Sequence, residues 1–170
     1  MRTALLALLG LGSVAIAVPA EAATSLDRLL AGQDRACTAN AEFRAFQASL
    51  VRAYSSGRPA RVRPTVPAEI APAIGAVRME EKSDHLVVTV AVDGTFRGLN
   101  LTSIVFYIGK ENGISGHALE FSAPAEAVRA TFAASVAAGA KTMATQYETG
   151  ATTGLDFTDG RAALWCDFSN

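Results

Sequence analysis

"GLNLTSIVFYIGKENGISGHALEF", residues 98 to 121, decides how this chain is built. Two apolar runs, LTSIVFYI and ISGHALEF, flank Asn112-Gly113, a dipeptide suited to the positive φ angles of a tight hairpin turn. The pattern predicts two antiparallel strands. Gly116 then marks a bulge or a close approach by another element.

Two other readings of the stretch fail on spacing. A P-loop requires a leading glycine, four residues, and then Gly-Lys-Ser/Thr opening a helix. Lys110 follows Gly109, but Glu111 takes the hydroxyl position, the leading glycine is missing, and the sequence beyond is strand-like. A catalytic reading would use His117, one of two histidines with His85. Side chains alternate faces along a strand, so His117 shares a side with Ser115, Leu119 and Phe121. Glu120 points the other way with Gly116 and Ala118. Ser115 and His117 share a face at roughly 7 Å, beyond the reach of a nucleophile and its base. No G-x-S-x-G elbow is present either. The favoured expectation is a histidine hydrogen-bonded at the edge of a core.

Outward from this hairpin, the period stays at two. VRMEEK and HLVVTVAV are separated by Ser83-Asp84, and Asp93-Gly94 is predicted to turn the chain before TFRGLNL. In Leu86, Val88, Val90 and Val92 one face is wholly apolar, and the other is mixed enough for an interior strand. Further strands are predicted at 141–148, 152–157 and 161–168, with Asp159-Gly160 turning the last pair. Three helices are predicted. Ser25 caps a short one carrying Leu26, Leu29 and Leu30, and Asn40 caps a longer one with a Phe43, Phe46, Leu50 stripe ending before Gly57. The third runs over 123–138, with Pro124 in its first turn, Val128, Phe132 and Val136 inward, and Gly139 as its stop. Residues 58–75 hold the prolines of an extended connection. Hairpin-linked strands with helices set apart define an α+β fold with a mainly antiparallel sheet, as one domain over 23–170.

The N-terminus gives an address. Arg2 precedes an apolar run, and Ala20 and Ala22 occupy the small-residue positions of a signal-peptidase site. Residues 1–22 are therefore expected to be a cleaved signal, of bacterial style, directing export to the periplasm or the extracellular space. No transmembrane run follows it. The net charge of −1 supplies no general attraction to nucleic acid. Cys37 and Cys166 are the only cysteines, which in an oxidising compartment predicts one disulfide. It would tie the start of the long helix to the last strand.

No cofactor or metal motif is present. Glu80, Glu81, Asp84 and His85 are close in sequence, but alternation and a turn between them fit a solvated hairpin tip. Between Phe43 and Ala68 the charged residues are Arg44, Arg52, Arg58, Arg61 and Arg63, with no acid among them. Such a segment can meet an anionic envelope polymer, a lipid surface or an acidic protein, or pair with carboxylates elsewhere in the fold. Trp165 lies opposite Leu164, Cys166 and Phe168 on its strand. It is expected beneath an N-terminal helix, or else exposed as a binding anchor. The reading is a small exported non-catalytic binding or inhibitor-like protein of the cell envelope, with the arginines and Trp165 as contacts. The alternatives are a secreted hydrolase built on His117 with Ser103 or Ser115, and a carrier of a small apolar ligand.

Overall fold

The computed structural model describes residues 23–55, 63–111, 113–147 and 150–169. The predicted signal, Arg58, Arg61, Gly57 and Asn112 lie outside them. Two helices, α1 (Ala41–Ser55) and α2 (Ala125–Gln146), accompany six strands. These are β1 (Ile74–Glu81), β2 (His85–Phe96), β3 (Leu99–Gly109), β4 (Ser115–Phe121), β5 (Thr152–Asp156) and β6 (Ala162–Asp167). They form one sheet in the order β1-β2-β3-β4-β6-β5, every neighbouring pair antiparallel. The fold is α+β.

The central hairpin is β3–β4, in register from Ile108↔Ser115 onward. Gly109 N–H donates to Ile114 O at 2.7 Å, and Gly113 takes the left-handed φ of 72° that the turn requires. A Cβ on Gly116 would sit 2.7 Å from Cys166 O, so this glycine admits β6 at close range. Ser83-Asp84 turns β1 into β2, and the one-turn 3-10 helix Thr158–Gly160 reverses β5 into β6.

Three expectations about elements are corrected. Asp93-Gly94 is not a turn: both residues lie inside β2, at a register shift against β3. The reversal comes at Arg97-Gly98, with φ of 52° and 76°. Gly94 serves a different need. A Cβ there would meet Thr24 O at 2.7 Å, because residues 24–26 lie alongside β2, with Leu26 N–H donating to Thr95 O at 2.8 Å. The short N-terminal helix is likewise absent; residues 27–37 form successive turns, through left-handed Gly32, Ala36 and Cys37. Leu26, Leu29 and Leu30 are still fully buried. Finally, residues 141–146 continue α2 and are not a strand. Gly139 does not stop that helix: its bare Cα faces Ala36, whose N would lie 2.4 Å from a Cβ.

Both helices pack on one side of the sheet. Asn40 caps α1, its Oδ1 accepting from Phe43 N–H at 2.8 Å. Phe43 and Phe46 then meet Phe106 of β3, each at 5.8 Å between ring centroids. Phe132 of α2 stacks on Phe96 and meets Phe121, at 5.5 and 5.3 Å. Leu86, Val88, Val90, Ile104, Leu119 and Leu164 fill the layer between helices and sheet. The predicted disulfide is present, with Cys37 and Cys166 Cα atoms 5.9 Å apart, and it ties the start of α1 to β6. Arg97 adds a second tie, pairing through Nε and Nη2 with Asp34 at 3.1 and 3.3 Å.

Candidate functional site

His117 lies on the helix-covered side of β4 and is 4% exposed. Its Nε2 is 2.6 Å from Oε1 of Gln33, which comes from the N-terminal turns. Phe43, Phe106 and Phe168 surround the ring, with centroids at 5.1, 5.9 and 6.2 Å. Burial alone pushes the imidazole down to about 4, so it is neutral at neutral pH. With Nε2 protonated toward the Gln33 carbonyl oxygen, the ring fills the role of a satisfied core histidine. The partner, Gln33, could not be found from sequence, since it is 84 residues away.

The groups that a His117-based hydrolase would need are on the other side of the sheet. Ser103 Oγ donates to Glu120 Oε2, and Arg161 Nη1 lies 3.5 Å from Glu120 Oε1. Ser103 and Glu120 are register partners on the face opposite His117. Ser115 does share the His117 side and stands exposed at the strand's start. Among the described residues, the structure brings His117 together with Gln33 and aromatic rings, not with a nucleophile or carboxylate.

The acidic hairpin tip is occupied by ion pairs. Lys110 Nζ reaches Glu81 Oε1 at 2.7 Å and Lys82 O at 2.8 Å, Lys82 pairs with Glu80, and His85 Nδ1 is 2.8 Å from Asp84 Oδ1. Lys110, which resembled a phosphate ligand in one dimension, joins two hairpin tips. Among the described residues no group of three or more His, Cys, Asp or Glu is placed to hold a metal. No helix among them is long and apolar enough to cross a membrane.

The face of the sheet away from the helices is the most distinctive surface. Cross-strand register places Val87 and Thr89 of β2, Val105 and Tyr107 of β3, Ala118 and Glu120 of β4, and Ala163 and Trp165 of β6 there. No described helix packs on it. Trp165 is therefore not beneath an N-terminal helix, which is a correction. β6 alternates, and the side bearing Leu164 and Cys166 is the one the helices cover. Instead the indole lies across the neighbouring strand: a Cβ on Gly154 would fall 2.5 Å from its Cζ2. Gly154 is what lets the ring lie flat against the sheet. Tyr107 is 39% exposed two strands away, and its phenol is pushed up by partial burial, with Glu120 adding to the effect. Glu120, Arg161, Asp156 and Asp167 supply polar groups of both signs around the two rings.

The arginine segment occupies other surfaces. Arg44 and Arg52 project from α1, on the opposite side of the sheet from Trp165, and Arg63 is exposed in the following connection. Among the described residues none of the three has an ion pair; Arg44 donates to the carbonyl of Ala39. A single flat partner cannot contact Trp165 and the α1 arginines together. Comparison with known proteins finds no matching family model, no matching curated protein and no matching solved structure.

Proposed function

We propose that this is an exported, non-catalytic binding protein of the cell envelope that engages a protein partner through the sheet face opposite its two helices. The observation that carries this reading is Trp165 lying flat over Gly154 on a face where no described helix packs. Tryptophan and tyrosine set among small residues, with charges of both signs at the margin, match the make-up of protein interfaces. The N-terminal sequence supports export, and a disulfide is consistent with an oxidising compartment. A catalytic reading has less support, because His117 is enclosed and its polar partner is an amide.

The chain contains one tryptophan, so protein labelled with 5-fluorotryptophan carries a single fluorine reporter at the site. An envelope protein captured by the immobilised mature chain and then purified should shift that resonance on titration. Trp165→Ala should weaken its binding about 30-fold, the loss expected of a hot-spot tryptophan worth ~2 kcal/mol. Arg52→Ser, on the far side, should leave it unchanged. If Arg52→Ser abolishes capture while Trp165→Ala does not, the basic surface carries the binding and the sheet-face reading is wrong.

A further inference from the structure

A cleft of about 550 Å³ opens at the end of the molecule beside the disulfide, within the size range of small-molecule sites. It is bounded by the start of α1, the start of β4 and the ends of α2 and of the chain. One wall is a continuous line of rings. Tyr147 meets Phe168 edge-on at 5.7 Å, Phe168 stacks with His117 at 6.2 Å, and His117 meets Phe43 at 5.1 Å. All four border the cleft, Phe43 and His117 buried behind it, Phe168 half-buried, and Tyr147 at its mouth 42% exposed.

The polar lining has a definite sign. Among the described residues that line it, Arg44 is the only ionised side chain, since His117 is neutral and none is Asp or Glu. Its bond to Ala39 O, one turn back along the chain, holds the guanidinium in place. That bond uses one donor and leaves the others, and among the described residues no carboxylate is within ion-pair distance of Arg44. Gln47 and Gln146 add amides. A guanidinium fork with no counter-ion among the described residues, next to aromatic rings, suits a carboxylate joined to a planar ring. The same arrangement disfavours a cation, which would meet Arg44, and a neutral aliphatic, which would leave the fork unanswered.

We propose that this cleft binds small aromatic monocarboxylates, with Arg44 taking the carboxylate and the Tyr147–Phe168 pair, backed by the buried His117, taking the ring. The site is separate from the sheet face and does not depend on the partner proposed there. The probes are indole-3-acetate and 3-phenylpropionate, each compared with its primary amide, titrated into the mature protein and followed by backbone amide chemical shifts. Each acid should give saturable shifts centred on residues 38–47, 115–117 and 146–147, and bind about tenfold tighter than its amide, as a charge-assisted pair implies. Arg44→Gln should remove that acid-over-amide preference. Tyr147→Ala should weaken acid and amide alike, and Trp165→Ala should change neither. The proposal is overturned by equal binding of acid and amide to the wild type, or by an unchanged preference in a folded Arg44→Gln protein. It is also overturned if no saturable shift appears up to about 10 mM, where binding is worth less than ~3 kcal/mol.

Discussion

His117 is neutral in the folded protein because its ring is enclosed by Phe43, Phe106 and Phe168 and, among the described residues, no charge offsets the desolvation. Its pKa is near 4 when folded and 6.5 when unfolded, so between those values the unfolded chain binds a proton that the folded one rejects. Stability therefore falls as pH drops from about 6.5 to 4, by about 3 kcal/mol from this group. Urea titrations of the wild type and His117→Gln at pH 7 and pH 4 test this. The wild type should lose that much more than the variant, whereas an equal loss in both would mean the imidazole accepts its proton in place. At this scale much was legible in advance. Alternation along ISGHALEF correctly separated His117 from Glu120, since the side chains of neighbouring strand residues leave the sheet on opposite sides. What alternation does not supply is which side the helices cover. For that reason the surroundings of Trp165 were misjudged while its strand and face-mates were right.

At the scale of elements, glycine is where local signals and tertiary needs compete. Gly139 follows the predicted helix and reads as its stop, yet α2 continues to Gln146 because the glycine is needed mid-helix for contact with Ala36. Helix propensity says that Gly139→Ala adds up to ~1 kcal/mol of stability. The methyl would fall 2.4 Å from Ala36 N, a backbone atom anchored by the adjacent disulfide, so packing wins and the sign reverses. We expect a loss of about 1–3 kcal/mol, visible as a lower thermal midpoint. A gain would show that the 35–37 segment yields easily. The same competition explains Asp93-Gly94, a strong turn dipeptide that forms no turn. Its glycine admits Thr24, while Arg97-Gly98 four residues further makes the reversal with left-handed backbone at both positions. Signals of backbone permissiveness locate glycines that matter without saying which of two uses they serve.

For the whole molecule, the Cys37–Cys166 bond closes a separation of 129 residues and holds the α1 start, the N-terminal turns and β6 together. In the chain-entropy account a loop of that length constrains the unfolded state by about 4–5 kcal/mol, with measured gains often smaller. Cys37→Ala/Cys166→Ala should lower unfolding free energy by about 2–5 kcal/mol in denaturant titration. If it costs nothing, Arg97–Asp34 and the leucines of the N-terminal turns suffice to hold that segment. The Cys37 end of the bond also lines the cleft beside Arg44. The double variant should therefore loosen aromatic carboxylate binding before it disturbs the sheet face.

By itself the sequence determined the α+β class, the central hairpin, the capped start of α1 and the cysteine pairing. Each of these follows from periodicity, from a turn or cap residue acting over a few positions, or from there being only two cysteines. Tertiary structure alone decided that Gln33 would answer His117, that both helices would share one side of the sheet, and that Trp165 would lie on the other. It also decided that Arg44 would stand beside a row of rings drawn from three distant segments. Those outcomes depend on contacts between residues far apart in the chain, and a periodic pattern records which face of an element is apolar but not what comes to cover it.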